Sequence, residues 1–204
     1  MKLYYSPGAC SLAPHIALLE AGLPHRLVRV DLASHKTEDG QDYHVLNPKA
    51  YVPLLVLDDG TKLTEASVVL QYIADRRPGT LAPIAGTMAR YQLMEWLNFI
   101  ATEIHKGFGP LWNPKTPDAT RQAARAQLGK RFGFVDAALA DNGLLTGETF
   151  TIADAYLFTV TNWSATLGVD LRPFASLRAF MSRVAARPAV QKALHDEGLH
   201  KLAA

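Results

Sequence analysis

The apolar positions in the first part of the chain alternate between short strand-like runs and one helical run. Residues 2–5 form a short apolar run that a Ser-Pro-Gly turn ends, and residues 27–31 form a second run. Between them, apolar residues recur every three or four positions from residue 10 to residue 23, which is the spacing of an amphipathic helix. The pattern predicts a β-α-β unit whose two strands are parallel.

The next segment is predicted to contain a loop, a β-hairpin and a helix. The polar stretch 33–50 is predicted to be a loop. Residues 54–57 form a third strand, an Asp-Asp-Gly turn follows at 58–60, and a fourth strand begins at Lys62. A helix is predicted over 65–76. The order β-α-β, loop, β-β-α is the thioredoxin arrangement, so we expect an α/β, thioredoxin-like domain here.

A stretch rich in proline and glycine around 77–83 interrupts this pattern, and beyond it we find no convincing strand. We therefore divide the chain into a thioredoxin-like domain (1–77), a linker (78–86) and an all-helical domain (87–204). The periodicity in the last part predicts helices at about 87–108, 118–141, 151–167, 174–186 and 188–196.

The composition narrows the class of protein. Of the 204 residues, 49% are hydrophobic and 20% are charged, which is the balance of an ordinary globular protein. The net charge of +2, with scattered Lys and Arg residues, argues against a nucleic-acid partner. No leader pattern follows the first residues and no window approaches the roughly 18 apolar residues of a membrane span. We expect a cytoplasmic protein with no membrane partner.

Cys10 is the one cysteine of the chain, which excludes an intramolecular disulfide. It lies between the loop after the first strand and the following helix, where free backbone N–H groups would stabilise a thiolate and lower the thiol pKa. Two interpretations stay open: a reactive thiol, or a small residue that begins the helix. Without a second cysteine, the remaining thiol chemistry is a mixed disulfide with a small thiol, or a hydrogen bond to another sulfur.

Two further features favour a site for an extended peptide. Pro53 precedes the third strand, and a cis bond there would leave the backbone of Val52 free to pair with a peptide. A trans proline at the start of a strand is the alternative, but the topology favours cis. Glu65 opens a helix whose N–H groups suit a carboxylate, while its own carboxylate suits an ammonium group. A first-turn acid that offsets the helix dipole is the alternative there.

The first helix of the second domain has two distinct faces. Its polar stripe holds Asn98, Thr102 and His105, and we single out His105 because the segment 106–110 is expected to end the helix directly after it. The opposite face is predicted to enter the core and comprises Leu93, Leu97, Ile100 and Ile104.

A later helix begins with a capping signal. Thr151 at the N-cap and Asp154 three residues on form a capping box, so we expect Asp154 to matter for folding rather than for chemistry. Phe108, Trp112 and Trp163 are candidates to line an apolar pocket, although core packing is the commoner role of each.

Together these segments resemble the cytosolic glutathione transferases, and in particular their bacterial beta class. The resemblance extends over nearly the whole chain and is carried by MKLYYSPGACSLAPHIALLE (1–20), NPKAYVP (47–53), LTEASVVLQYIAD (63–75), WLNFIATEIHKGF (96–108) and FTIADAYLF (150–158). It implies a homodimeric detoxification enzyme that uses glutathione as co-substrate, with no tightly bound cofactor and no metal, and transfers it to a hydrophobic electrophile. The alternative is a non-catalytic protein of the same fold that binds glutathione or hydrophobic ligands.

The resemblance also implies roles for residues of the first domain. Cys10 faces the glutathione sulfur, Val52 beside Pro53 pairs its backbone with the cysteinyl unit, and Glu65 with the backbone of Ala66 holds the γ-glutamyl head. Because a cysteine is a poor hydrogen-bond donor, Cys10 could favour thiol–disulfide exchange or dehalogenation over conjugation.

Other implied contacts are less direct. The beta class usually has a lysine at position 35, whereas this chain has His35 followed by Lys36, and either could serve the glycyl end. In the second domain, Thr102 is predicted to contact glutathione. Asn98 and Glu103 would reach the molecule bound to a partner subunit.

His105 and Lys106 are expected to approach the sulfur of Cys10. A cation at that place would lower the pKa of the thiol further.

Overall fold

The computed structural model describes residues 1–199. Its first domain opens with β1 (Lys2–Tyr5), α1 (Leu12–Glu20) and β2 (Arg26–Asp31). β1 and β2 pair in parallel, which confirms the predicted β-α-β unit.

The polar stretch 33–50, predicted to be a loop, contains two short elements, β3 (Lys36–Thr37) and α2 (Tyr43–Leu46). Tyr43 is fully buried, and its hydroxyl donates to the carbonyl of Tyr51 at 2.8 Å. Elements this short show no periodicity in the sequence, which is why they were not predicted. The buried Tyr43 anchors this otherwise polar segment to the domain.

The domain is completed by β4 (Leu54–Val56), β5 (Lys62–Thr64) and α3 (Ala66–Asp75). The five-stranded sheet has the order β3-β2-β1-β4-β5, and β4 is antiparallel to both β1 and β5. Leu3 and Leu55 are fully buried in a core that includes α1 and α3. The predicted thioredoxin-like domain is confirmed.

The second domain is helical, and residues 78–199 contain no strand. Its α-helices are α4 (Met88–Phe99), α5 (Gly109–Trp112), α6 (Asp118–Leu139), α7 (Ile152–Thr161), α8 (Trp163–Leu167), α9 (Ala175–Ala185) and α10 (Pro188–Asp196). The helix predicted over 151–167 is therefore interrupted at Asn162. None of the helices within residues 1–199 is both long and apolar enough to cross a membrane.

α7 is the centre of the second domain, because every one of its residues is buried. It packs against α1 of the first domain and against α4 and α9 of its own. Its start carries the predicted capping box: the buried carboxylate of Asp154 accepts from Thr151 N at 2.8 Å and from Leu145 N at 2.9 Å. The structural role expected for this pair is confirmed.

The helix predicted over 87–108 changes its geometry partway. α4 continues into a π-helical segment (Ile100–His105) and a 3₁₀ turn (Lys106–Phe108), which runs directly into α5. The expectation that the helical path ends after His105 is therefore wrong. At Gly107 a Cβ atom would lie 2.9 Å from Leu128 Cδ2. The absence of a side chain at this glycine therefore lets the 3₁₀ turn pack closely against α6.

Candidate functional site

A cleft of about 820 Å³ lies where the two domains meet. Its walls come from the loops after β1 and before β4, the start of α3, the π-helical segment, and the helices α5, α7 and α8. Nine of the eleven residues predicted to act in catalysis or glutathione binding line it: Cys10, His35, Val52, Pro53, Glu65, Ala66, Thr102, His105 and Lys106. Asn98 and Glu103 do not.

The loop that carries Cys10 is closed by Ser11. The Ser11 hydroxyl accepts a hydrogen bond from Ser6 N at 3.2 Å and donates to Ser6 O at 3.3 Å. α1 begins at Leu12 with Ser11 as its N-cap, so Cys10 lies one residue before the cap. The Cys10 thiol donates to the carbonyl of Val52 at 3.2 Å, which brings the sulfur to the edge of the loop before β4.

The ionisation expected for Cys10 is not what the structure shows. Burial raises the pKa of the Cys10 thiol to about 12, and the negative charge of Glu65 acts in the same direction. Hydrogen bonds from backbone N–H groups of Cys10 and Ser11 lower the pKa, but they are outweighed by the loss of hydration. The expected lowering of this thiol pKa is therefore wrong, and Cys10 is a protonated donor at neutral pH.

His105 is held by a neighbour on α7. Its Nδ1 lies 2.7 Å from the Tyr156 hydroxyl, and its ring meets the Trp163 ring edge-on with centroids 5.0 Å apart. Burial, together with the positive charge of Lys106, lowers the pKa of His105 to about 4. The expectation that His105 places a cation beside the thiol is therefore wrong, because the imidazole is neutral near pH 7.

The backbone around Pro53 is cis at the Val52–Pro53 bond, as the topology predicted. The preceding carbonyl, that of Tyr51, accepts from Asn47 Nδ2 and from the Tyr43 hydroxyl, both at 2.8 Å. These two buried side chains hold the loop so that Val52 borders the cleft.

The start of α3 forms the second end of the cleft. Glu65 is its N-cap residue and has a positive φ of 67°, while Ala66 and Ser67 supply the first-turn N–H groups, which no helix can satisfy internally. Lys49 Nζ contacts Glu65 Oε1 at 2.6 Å and Thr64 Oγ1 at 3.0 Å. Sequence reasoning missed Lys49, although it lies within the segment that resembles the family.

His35, rather than Lys36, borders the cleft. It has a positive φ of 51°, and its ring contacts that of His44 at an interplanar angle of 57°, with centroids 4.6 Å apart. Its Nδ1 is buried and has no hydrogen-bond partner among residues 1–199. Lys36 is exposed in β3, so the geometry leaves His35 as the residue able to meet a ligand.

The polar stripe on the first helix of the second domain is only partly directed at the cleft. Thr102 lines it and donates its hydroxyl to the carbonyl of Asn98 at 3.0 Å. Asn98 is exposed. Glu103 forms an ion pair with Arg131 of α6. Contacts of Asn98 and Glu103 with a partner subunit stay a prediction.

An aromatic wall closes the cleft on the side of the helical domain. Trp112 is 51% exposed and meets the Trp163 ring edge-on at 5.5 Å. Phe108 is fully buried behind Trp163 and does not line the cleft. Tyr156 does line it. Sequence reasoning missed Tyr156 because its helical spacing assigned it to the core.

Among residues 1–199 no group of three or more His, Cys, Asp or Glu side chains could hold a metal ion. The cleft is lined by the Cys10 thiol, the imidazoles of His35 and His105, the Lys106 ammonium group and the Glu65–Lys49 ion pair.

Comparison with known proteins agrees with this geometry. The family model for the N-terminal domain of glutathione S-transferases matches residues 8–76, and the model for the C-terminal domain matches residues 99–188. Glutathione S-transferase GstA of Escherichia coli O157:H7 is 51% identical, over 98% of this chain and all of that protein.

Two solved structures extend the comparison. A beta-class glutathione S-transferase of Sphingomonas chungbukensis is 46% identical, with a TM-score of 0.94 over 98% of this chain and all of that one. A sphingomonad glutathione S-transferase in complex with glutathione is 45% identical, with the same TM-score and coverage. The chain belongs to the glutathione S-transferase family and is similar to its bacterial beta class.

Proposed function

We propose that the protein binds glutathione in the cleft between its domains and transfers it to hydrophobic electrophiles. The observation that carries the proposal is the hydrogen bond from the Cys10 thiol to the Val52 carbonyl at 3.2 Å. It places a sulfhydryl donor beside the backbone with which the cysteinyl unit of an extended tripeptide would pair. The sulfur of that unit then lies next to Cys10.

The two ends of the cleft suit the two ends of the tripeptide. The γ-glutamyl head carries an ammonium group and a carboxylate, which match the Glu65 carboxylate and the first N–H groups of α3 at Ala66 and Ser67. At the other end, His35 is the candidate contact for the glycyl carboxylate. Pairing with Val52 sets the direction of the peptide between them.

The reaction follows from the protonation states. The glutathione thiol releases its proton to solvent, and donors in the cleft stabilise the resulting thiolate. The sulfur lone pair then forms a carbon–sulfur bond with the electrophile, whose leaving group departs with its bonding electrons. Cys10 serves as a donor to the sulfur when its S–H turns from the Val52 carbonyl to the ligand, because its own thiol pKa of about 12 keeps it protonated.

Thiol exchange at Cys10 is a second candidate reaction. Its thiolate would attack oxidised glutathione, form a mixed disulfide and release one glutathione thiolate. The raised thiol pKa disfavours this route in the free protein. Reductive dehalogenation through Cys10 would need the same thiolate. We therefore place conjugation first.

The aromatic wall supports a hydrophobic second substrate. Trp112, Tyr156 and Trp163 lie on the same side of the cleft as His105. An electrophile that stacks there would be held near the sulfur and away from bulk water, which raises its effective concentration.

We propose the same organisation as the sequence predicts: a glutathione domain over 1–77, a linker over 78–86 and a helical domain over 87–204, of which residues 200–204 lie outside the described residues. A homodimer is supported by exposed apolar side chains on α3 and α4, namely Val68, Tyr91 and Met94. Asn98 and Glu103 would then reach the glutathione of the partner. We also propose a cytoplasmic location and a role in detoxification.

A conjugation assay with glutathione and an aromatic halide, alongside calorimetric titration with glutathione, tests the proposal. Binding with turnover supports it. Binding without turnover across several electrophiles favours the alternative of a non-catalytic binding protein, and absence of binding contradicts both. Intact mass after incubation with oxidised glutathione, with Cys10→Ala as the control, measures the exchange route separately.

A further inference from the structure

Tyr156 and His105 form an isolated pair at the floor of the cleft. The Tyr156 hydroxyl lies 2.7 Å from His105 Nδ1, and Tyr156 is 2% exposed. This hydroxyl has no other hydrogen-bond partner among residues 1–199. The Trp163 ring meets the imidazole edge-on at 5.0 Å and restricts its rotation.

The other imidazole nitrogen has a different environment. His105 Nε2 has no hydrogen-bond partner within the described chain, yet it is not among the buried unpartnered atoms there. Because His105 lines the cleft, Nε2 is the nitrogen that a ligand can reach.

The position of the imidazole proton follows from counting donors. If Nδ1 carried the proton, Tyr156 would have to accept it, and the buried tyrosine O–H would be left without an acceptor. If Nδ1 is bare, the tyrosine donates to it and both groups are satisfied. Buried donors without acceptors are costly, so the second arrangement is favoured. Burial also raises the pKa of Tyr156, which keeps the phenol protonated.

We propose that Tyr156 is a positioning residue that fixes His105 in its Nε2–H form, so that His105 offers a hydrogen-bond donor to the cleft and cannot act there as a base. The identification of the glutathione sulfur as the acceptor rests on the function proposed above. The tautomer itself does not depend on it.

The consequence is a sulfur site built from neutral donors. The Cys10 S–H, once turned from the Val52 carbonyl, and the His105 Nε2–H would both point to an acceptor, and an anionic sulfur accepts hydrogen bonds more strongly than a thiol. Such a site shifts glutathione toward its thiolate. In the competing arrangement, Nε2 is bare and removes the proton of the glutathione thiol as a general base.

Long-range ¹H–¹⁵N spectra of the full-length protein, labelled on its histidine rings, test the tautomer without any ligand. Loss of signals in His105→Gln assigns the ring. We expect a protonated Nε2 and a bare Nδ1 in the wild-type protein, and averaged nitrogen shifts in Tyr156→Phe. Tyr72→Phe, which removes a hydroxyl of α3 outside the cleft, is the matched control and should leave the signals unchanged. A protonated Nδ1 in the wild-type protein, or unchanged shifts in Tyr156→Phe, overturns the proposal.

Kinetics test the role of the donor. Tyr156→Phe should lower kcat about tenfold while KM for glutathione stays within about twofold, since one of the donors to the sulfur is misplaced rather than removed. His105→Gln keeps an N–H donor without a base, so it should retain at least about tenfold more activity than His105→Leu. Equal losses in these two variants overturn the donor role. Absence of glutathione binding with the expected spectra would instead refute the proposed function and leave the tautomer standing.

Discussion

The carboxylate of Glu197, directly after α10, accepts a hydrogen bond from the backbone N–H of Gly8 at 3.0 Å. Its other oxygen lies 3.0 Å from Nδ1 of the fully buried His15. The carbonyl of Gly8 in turn accepts from the Trp163 indole N–H at 2.8 Å. The loop that leads to Cys10 is thus held at both backbone groups of one residue, Gly8, by the helical domain.

Glu197→Ala should lower the free energy of unfolding by about 2–4 kcal/mol, because it leaves the Gly8 N–H and His15 Nδ1 buried without a partner. Urea unfolding followed by circular dichroism measures the loss. Glu148→Ala, at an exposed site, is the control and should change stability by less than about 0.5 kcal/mol. Equal stability of the two variants would show that the buried contact does not hold the domains together.

Asp154→Ala should destabilise the protein by about 2–4 kcal/mol, since the lost carboxylate serves the N–H groups of both Thr151 and Leu145. Thr151→Ala should cost about 1 kcal/mol. The double variant should cost less than the sum of the single ones, because the two side chains share a hydrogen bond. Strict additivity in denaturant unfolding would argue against a coupled capping box.

Alkylation of Cys10 by iodoacetamide should be slow at neutral pH and accelerate without an inflection between about pH 6 and 9. The reason is a thiol pKa raised by burial to about 12, against 9.0 for an unhindered cysteine. The same pKa shift predicts a pH-dependent contribution of Cys10 to the free energy of unfolding. This contribution is fully present below about pH 9 and is lost as pH rises above it, because the thiol of the unfolded chain ionises at a lower pH than that of the folded chain. Mass spectrometry of this single-cysteine chain reads the modification directly. Rapid modification at pH 7 would show that Cys10 is a thiolate after all.

Glu65→Gln should raise KM for glutathione about tenfold or more, since it removes the charge that faces the ammonium group of the substrate. Its effect on stability should stay below about 1 kcal/mol, because the Lys49–Glu65 ion pair is solvent-exposed (50% and 62% side-chain exposure). Asp59→Asn, in the exposed hairpin turn, is the control for a generic change in charge. An unchanged KM in Glu65→Gln would remove Glu65 from the substrate site.

The periodicity of the sequence predicts the long elements well because each buries one face. It fails for β3, whose two residues are too short to show a pattern. It also gives no sign of the π-helical turn at 100–105, although Ile100 and Ile104 are buried there as the helical wheel predicts. Such wide turns are rare and often occur at functional sites.

For the site, Cys10, Glu65 and His105 could be found from local chemistry and from the family resemblance. The pairing of His15 with Glu197 could not, because the two residues are 182 positions apart in the chain. Neither could the protonation states of Cys10 and His105. Their position at helix ends predicts that both groups are charged, whereas burial raises the pKa of Cys10 and lowers the pKa of His105, so that both are neutral. Burial depends on how the two domains pack, which the sequence does not show.

A crystal structure of the protein grown with glutathione would reveal how the tripeptide lies in the cleft. We expect it to pair with the backbone of Val52, with its γ-glutamyl head at Glu65 and its sulfur within hydrogen-bond distance of Cys10 Sγ. A cleft that stays empty at saturating glutathione, or a tripeptide whose sulfur lies away from residue 10, would contradict this expectation.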